Sequence, residues 1–164
     1  MLDLLPDLFD TYPEQIQLLS LPLTQYGGKH VFWGEVVTVY CFEDNSMVKQ
    51  LLARPGQGRV LVVDGGGSLD KALMGDLIGQ SAADNGWAGV VINGAIRDAG
   101  ALSTMPIGIK ALGTNPIKTE RKGLGDVNCP LVFGKQTVAP GMFIYADDNG
   151  LAVSNTALDL SLLG

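Results

Sequence analysis

The chain has 164 residues, with 11 Lys and Arg against 17 Asp and Glu, a formal net charge of −6 and 46% hydrophobic residues. A single core at this length buries roughly 70% of the surface an unfolded chain exposes, which excludes disorder as the dominant state and removes any need for a disulfide or structural-metal scaffold. The acidic balance and largely scattered basic residues argue against nonspecific nucleic-acid binding, while a charged content of only 17% leaves little polar cover and favours a dimer or trimer that hides apolar surface.

In chain order, residues 4–12 predict a short helix stopped by Pro13, followed by a weak extended segment over 16–23. Residues 31–42 predict a strand that is apolar on both faces and therefore central, with Trp33, Val37 and Val39 on one side and Phe32, Val36 and Tyr40 on the other. Asp44 and Asn45 are placed to cap a helix running to about residue 54, which the Pro55-Gly56 pair ends. A buried strand over 59–64 runs into Gly65-Gly66-Gly67, a helix spans 76–85 with Gly86 as its stop, and a further strand covers 88–93. Short strands over 107–112, 131–133, 136–138, 142–146 and 150–153 surround an irregular polar loop over 113–130. No repeat or linker divides the chain, so the expectation is one α/β domain over 1–164 with a mixed sheet.

Neither Cys41 nor Cys129 has a Cys or His at ligand spacing, so both read as buried small hydrophobes. His30 is the chain's one histidine and reads as a surface or interface residue. The N-terminus lacks a basic and apolar leader, and no apolar run approaches the ~20 residues of a membrane span, so the expected location is cytoplasmic with no membrane partner. The triple glycine at 65–67 matches neither GxGxxG nor GxxxxGK[ST] and reads as a tight turn or a point of close backbone approach.

Two segments carry candidate chemistry. Gly75-Asp76-Leu77-Ile78-Gly79 lies where a helix begins, so its free N–H groups and dipole favour an anion. Gly94-Ala95-Ile96-Arg97-Asp98 lies at the end of a buried strand, where sheet proteins place ligands. Brought together they make a carboxylate pocket. Arg97 can clamp a carboxylate through two parallel hydrogen bonds, and Asp98, expected to project in another direction, can supply an oxygen to a hard divalent cation.

The run from Val60 to Leu102, VLVVDGGGSLDKALMGDLIGQSAADNGWAGVVINGAIRDAGAL, resembles the RraA-like family, which holds both regulators of ribonuclease E activity and class II 4-hydroxy-4-methyl-2-oxoglutarate aldolases. Asp44-Asn45, Pro116-Ile117-Lys118-Thr119 and Tyr145 to Gly150 extend the resemblance over nearly the whole chain. Asp76, twenty intervening positions and then Arg97-Asp98 reproduce the spacing on which the family divides; the regulators tend to lack the aspartate. Cys41 to Asn45 and the GRVLVVDGGGS stretch, by contrast, are similar to the regulator branch.

The resemblance implies a layered β/β/α domain, a homotrimeric ring with sites near subunit contacts, and a Mg²⁺ or Mn²⁺ cofactor anchored by Asp98. It further implies that the backbone of Gly75, Asp76, Leu77 and Ile78 holds a 2-oxo acid whose carboxylate Arg97 contacts. The implied activity is aldol cleavage of a 4-hydroxy-2-oxo dicarboxylate to pyruvate, with oxaloacetate decarboxylation at the same site. The candidate base is a metal-bound water or hydroxide positioned by Asp76. Lys118 is expected to be a surface or structural residue, and Asp147 and Asp148 to be turn residues. The alternative is a noncatalytic regulator that binds and inhibits ribonuclease E.

Overall fold

The computed structural model describes residues 1–163; Gly164 lies outside the described residues. Helix α1 (Leu5–Thr11) is followed by strands β1 (Ile16–Leu18), β2 (Thr24–Gln25) and β3 (Phe32–Tyr40). Helix α2 (Ser46–Leu52), β4 (Val60–Asp64), β5 (Ala72–Met74), α3 (Asp76–Asp84), β6 (Gly89–Ile96), α4 (Ala99–Leu102) and β7 (Gly108–Thr114) form the middle of the chain. The C-terminal part holds β8 (Asp126–Val127), β9 (Leu131–Phe133), β10 (Gln136–Val138), β11 (Phe143–Asp147) and β12 (Gly150–Ser154).

The main sheet runs β1-β12-β11-β3-β4-β6-β7-β2, with β5 beside β6 and β8 beside β3. Its β3-β4-β6-β7 section is parallel, and β11, β12 and β1 join it antiparallel. Alternation of side chains along each strand sorts this sheet into layers. Leu61 and Val63 of β4, with Val90 and Ile92 of β6, face α2 and α3 in one core. Val60, Val62 and Val91 point the other way, against Leu131, Phe133 and Val138 of the β9-β10 hairpin and Ile144, Leu151 and Val153 of β11 and β12. The second strand layer thus packs on the face opposite the helices, which is the β/β/α arrangement expected.

Helix α1 covers the outer face of β11 and β12, where Leu4, Leu5 and Leu8 meet Tyr145 and Ala152. Its start is fixed by Asp147, which is fully buried and accepts from the Leu4 and Leu5 amides, each at 2.8 Å, and from Asn149. Asp147 is therefore more than the turn residue expected. Burial raises its carboxyl pKa, but these donors outweigh burial and hold it below the usual range.

Several boundaries differ from expectation. Strand β3 is narrower than the predicted 31–42, and its first half is one-sided, since Trp33 and Glu35 are exposed while Val36 to Val39 are buried. Strand β6 extends three residues past the predicted end, because after an irregularity between Ile92 and Ala95 the Ala95 and Ile96 backbones resume pairing with β5 and β7. The predicted helix cap is also different: Asn45 occupies the N-cap with no side-chain cap hydrogen bond. Cys41 is a core residue as read, and burial, reinforced by the Asp44 and Asp64 carboxylates, pushes its thiol up to about 12. His30 is exposed and pairs with Asp148 at 2.9 Å. Among the described residues no helix is long and apolar enough to cross a membrane.

Candidate active site

Strand β6 carries the chain to Arg97, whose amide donates to the Met74 carbonyl at 2.9 Å and so ties the end of β6 to the end of β5. Asp98 then takes a left-handed conformation, φ 58° and ψ 39°, before α4 begins. Aspartate tolerates this region better than most residues, and such strain concentrates at functional sites. The turn breaks strand alternation. Asp98 consequently does not project away from Arg97 as expected; its Oδ2 lies 3.9 Å from the Arg97 Nε.

The same Oδ2 accepts the Asp76 amide at 2.9 Å. Gly75 makes this convergence possible: a Cβ there would sit 2.6 Å from Asp98 Oδ2 and 3.1 Å from both Cγ and Nε of Arg97. Helix α3 starts directly after it. The Asp76 N–H is thus already engaged, which narrows the expected backbone cradle to the amides of Leu77 and Ile78, first-turn groups with no intrahelical acceptor. The Asp76 and Leu77 side chains are exposed.

The triple glycine builds no comparable cradle. Gly65 and Gly67 donate to the Asn93 carbonyl at 3.0 and 3.2 Å, and Gly66 donates to Asp64 Oδ1 at 2.9 Å. All three N–H groups are satisfied within the turn, as a tight turn requires.

A small open cleft of about 50 Å³ is bordered by Gly75 to Ile78 and Arg97 on one side and by Asn45, Lys118 and Arg121 on the other. Sequence reasoning missed this second wall. Residues 117–118 lie along the free edge of β5, where Ala72 donates to the Ile117 carbonyl at 2.7 Å and bridges Lys118. Asp44 fastens the rest of the loop, accepting from the Lys122 and Leu124 amides at 2.8 and 3.2 Å while its other oxygen accepts from Ser46. Burial raises the Asp44 carboxyl, but these hydrogen bonds outweigh it and hold the pKa at about 2. Lys118 is exposed, as expected, and lines the cleft as well. A buried carboxylate-amide pair, Asp44-Asn45, facing a polar loop was the available signal, and its helix-capping look concealed it.

The donor set can be tested against a divalent cation. Asp98 Oδ2 is occupied by the Asp76 amide, while Oδ1 makes no hydrogen bond among the described residues. No group of three or more His, Cys, Asp or Glu suited to a metal occurs there. This excludes a closed zinc-type cage. It fits Mg²⁺ or Mn²⁺, hard ions that use one or two carboxylates and complete their shell with water and substrate oxygens.

The profile of the RraA-like family, described as Aldolase/RraA, matches residues 5–153. A Shewanella oneidensis protein with the provisional name 4-hydroxy-4-methyl-2-oxoglutarate aldolase is 58% identical over 163 residues, 99% of each chain. A Geobacillus kaustophilus crystal structure, named as an S-adenosylmethionine:2-dimethylmenaquinone methyltransferase, superposes with a TM-score of 0.93 at 42% identity, covering 99% of this chain and 100% of that one. The RNA-processing inhibitor RraA of Thermus thermophilus superposes with a TM-score of 0.92 at 42% identity, covering 97% and 96%. These relatives carry three different functional names but one fold, and together with the profile match they show that this chain belongs to the RraA-like family.

Proposed function

We propose that this chain is a divalent-metal-dependent carbon–carbon lyase that cleaves 4-hydroxy-4-methyl-2-oxoglutarate and related 4-hydroxy-2-oxo dicarboxylates to pyruvate, and decarboxylates oxaloacetate at the same site. The observation that carries this reading is Asp98, held in a strained turn with one carboxylate oxygen tied to the Asp76 amide and 3.9 Å from the Arg97 Nε, and the other left without a hydrogen bond among the described residues. Arg97 and the Leu77 and Ile78 amides hold the substrate's 1-carboxylate. Asp76, exposed at the cleft, accepts the 4-hydroxyl proton directly or through one water. The C3–C4 bond then breaks, its electron pair passes into the 2-oxo group, and the departing fragment leaves with a new carbonyl. When bound at Asp98, the cation supplies Lewis-acid stabilisation of the oxyanion that develops at C2. Protonation at C3 releases pyruvate.

Decarboxylation of oxaloacetate needs the same clamp and the same charge stabilisation but no base for a hydroxyl. Asp98→Asn should therefore abolish both activities together, and oxalate should inhibit both. An Asp98→Asn protein that retained metal-dependent decarboxylation while losing cleavage would falsify the shared site. The reading includes a homotrimer in the cytoplasm, and Leu77, 83% exposed at the cleft rim, supports a subunit contact there. Sedimentation showing a fully active monomer would separate the chemistry from assembly.

A second reading, a noncatalytic regulator that binds ribonuclease E, is favoured by the likeness to the Thermus inhibitor. It predicts inhibition of that ribonuclease with no dependence on Asp98 or added metal.

A further inference from the structure

The floor of the cleft is ordered from one side to the other as the end of β6, the end of β5 and residues 117–118, because Ala72 and Met74 pair with β6 while Ala72 also bridges Lys118. Arg97 and Lys118 therefore rise from backbones two strand spacings apart, roughly 10 Å. Between them lies the turn at Gly75 and the start of α3. Pyruvate has one carboxylate and needs one of these cations; a 2-oxo acid with carboxylates at both ends matches the two.

The far wall also holds an amide donor on a largely buried residue. Asn45 is only 5% exposed and lines the cleft. Its Oδ1 accepts from Thr119 Oγ1 at 2.9 Å and from Arg121 Nε at 3.1 Å. A guanidinium can only donate, so this contact fixes which end of the amide is oxygen. The Nδ2 group points the other way and has no hydrogen-bond partner among the described residues. Arg121 keeps its two terminal nitrogens free, and neither Lys118 nor Arg121 is ion-paired among the described residues. In a chain of net charge −6, two uncompensated cations and an amide donor without a protein partner share one edge of one cleft. Asp44, gripping the Lys122 and Leu124 amides, sets the loop in place before any ligand arrives.

We propose that Asn45, Lys118 and Arg121 form a second carboxylate subsite, across the Gly75 turn from Arg97, that takes the distal carboxylate of a 2-oxo dicarboxylate and sets the preference for dicarboxylates over monocarboxylates. This rests on the substrate clamp assigned above to Arg97. Arg121 and Lys118 supply charge-assisted hydrogen bonds and Asn45 Nδ2 a neutral one. After C3–C4 cleavage that carboxylate belongs to the departing fragment, so the subsite holds the leaving group while Arg97 keeps the pyruvate half.

The test is calorimetric binding, with Mg²⁺ present, of 2-oxoglutarate and of 2-oxopentanoate, which has the same chain length but lacks the distal carboxylate. The wild type should bind 2-oxoglutarate at least about tenfold more tightly, the size of one or two charge-assisted hydrogen bonds. In a Lys118→Met/Arg121→Met protein the two affinities should converge, with 2-oxopentanoate unchanged. Lys122→Met, which removes a neighbouring charge paired with Glu120 instead of lining the cleft, should leave the preference intact. A preference that survives the double substitution, or that Lys122→Met removes equally, overturns the subsite and leaves the Arg97 clamp standing. Failure of the wild type to bind either acid overturns both.

Discussion

The two walls of the cleft are fixed by different means. The Arg97–Asp98 wall is set by backbone geometry: a strand end, a left-handed aspartate and a glycine whose missing Cβ is the space into which two side chains converge. The opposite wall is an irregular loop held by side chains, chiefly the Asp44 carboxylate on the Lys122 and Leu124 amides and the Asn45 amide on Thr119 and Arg121. Backbone-set geometry fails abruptly when one atom is added. A side-chain anchor loosens gradually, and it titrates.

The sharpest way to break the first wall is Gly75→Ala. Its Cβ would displace the Asp98 carboxylate and the Arg97 side chain, and a displacement of about 1 Å can cost on the order of 100-fold in kcat/KM. The atoms in the way all belong to side chains and none to the backbone, so melting should shift by only a few degrees. Inactivity together with a native-like melting curve is the expected pair of results, measured by steady-state kinetics and calorimetry.

A smaller effect is expected for Arg97→Lys, because an ammonium cannot reproduce a planar two-bond clamp. Loss of one charge-assisted contact corresponds to about 1.5–3 kcal/mol, read as a fall in kcat/KM of roughly 10- to 150-fold. An unchanged value would reassign Arg97 to structure.

On the second wall, Asp44→Ala should free the loop without touching Arg97. Amide exchange at Lys122 and Leu124 should accelerate, and dicarboxylate affinity should drop several-fold or more, as the loop loses charge-assisted hydrogen bonds of about 1.5–3 kcal/mol each. Acid should do the same to the wild type. The Asp44 carboxyl is depressed from 3.8 to about 2, so its contribution is fully present above about pH 4 and is lost as pH falls through about 2. Exchange at these amides that stays flat across that window would contradict the anchor.

The smallest effect separates strain from charge at Asp98. Asn tolerates the left-handed region and Ala does not, so Asp98→Ala should be less stable than Asp98→Asn by about 1 kcal/mol, or roughly 2–4 °C in melting temperature. Both should be inactive.

This contrast also explains what could be read from sequence. Asp76, Arg97 and Asp98 were legible because a helix start and a strand end announce themselves through periodicity, and a mixed α/β sheet was legible from its apolar strands, whereas the β/β/α layering was implied only by the resemblance to the family. The left-handed turn at Asp98 was not legible, since no glycine marks it. Three-residue β5 was too short to show a period. The second wall was hidden because its anchoring contacts join residues more than seventy positions apart, Asn45 to Thr119 and Asp44 to Lys122, and such pairings leave no local pattern.

The most direct test is pyruvate release from 4-hydroxy-4-methyl-2-oxoglutarate by the purified protein with Mg²⁺ or Mn²⁺, repeated with chelator and with Asp98→Asn. Turnover with either metal that disappears with chelator and in the variant, while melting curves stay native-like, is the predicted result. Absence of pyruvate with both metals, from a folded wild-type protein, would contradict the lyase assignment.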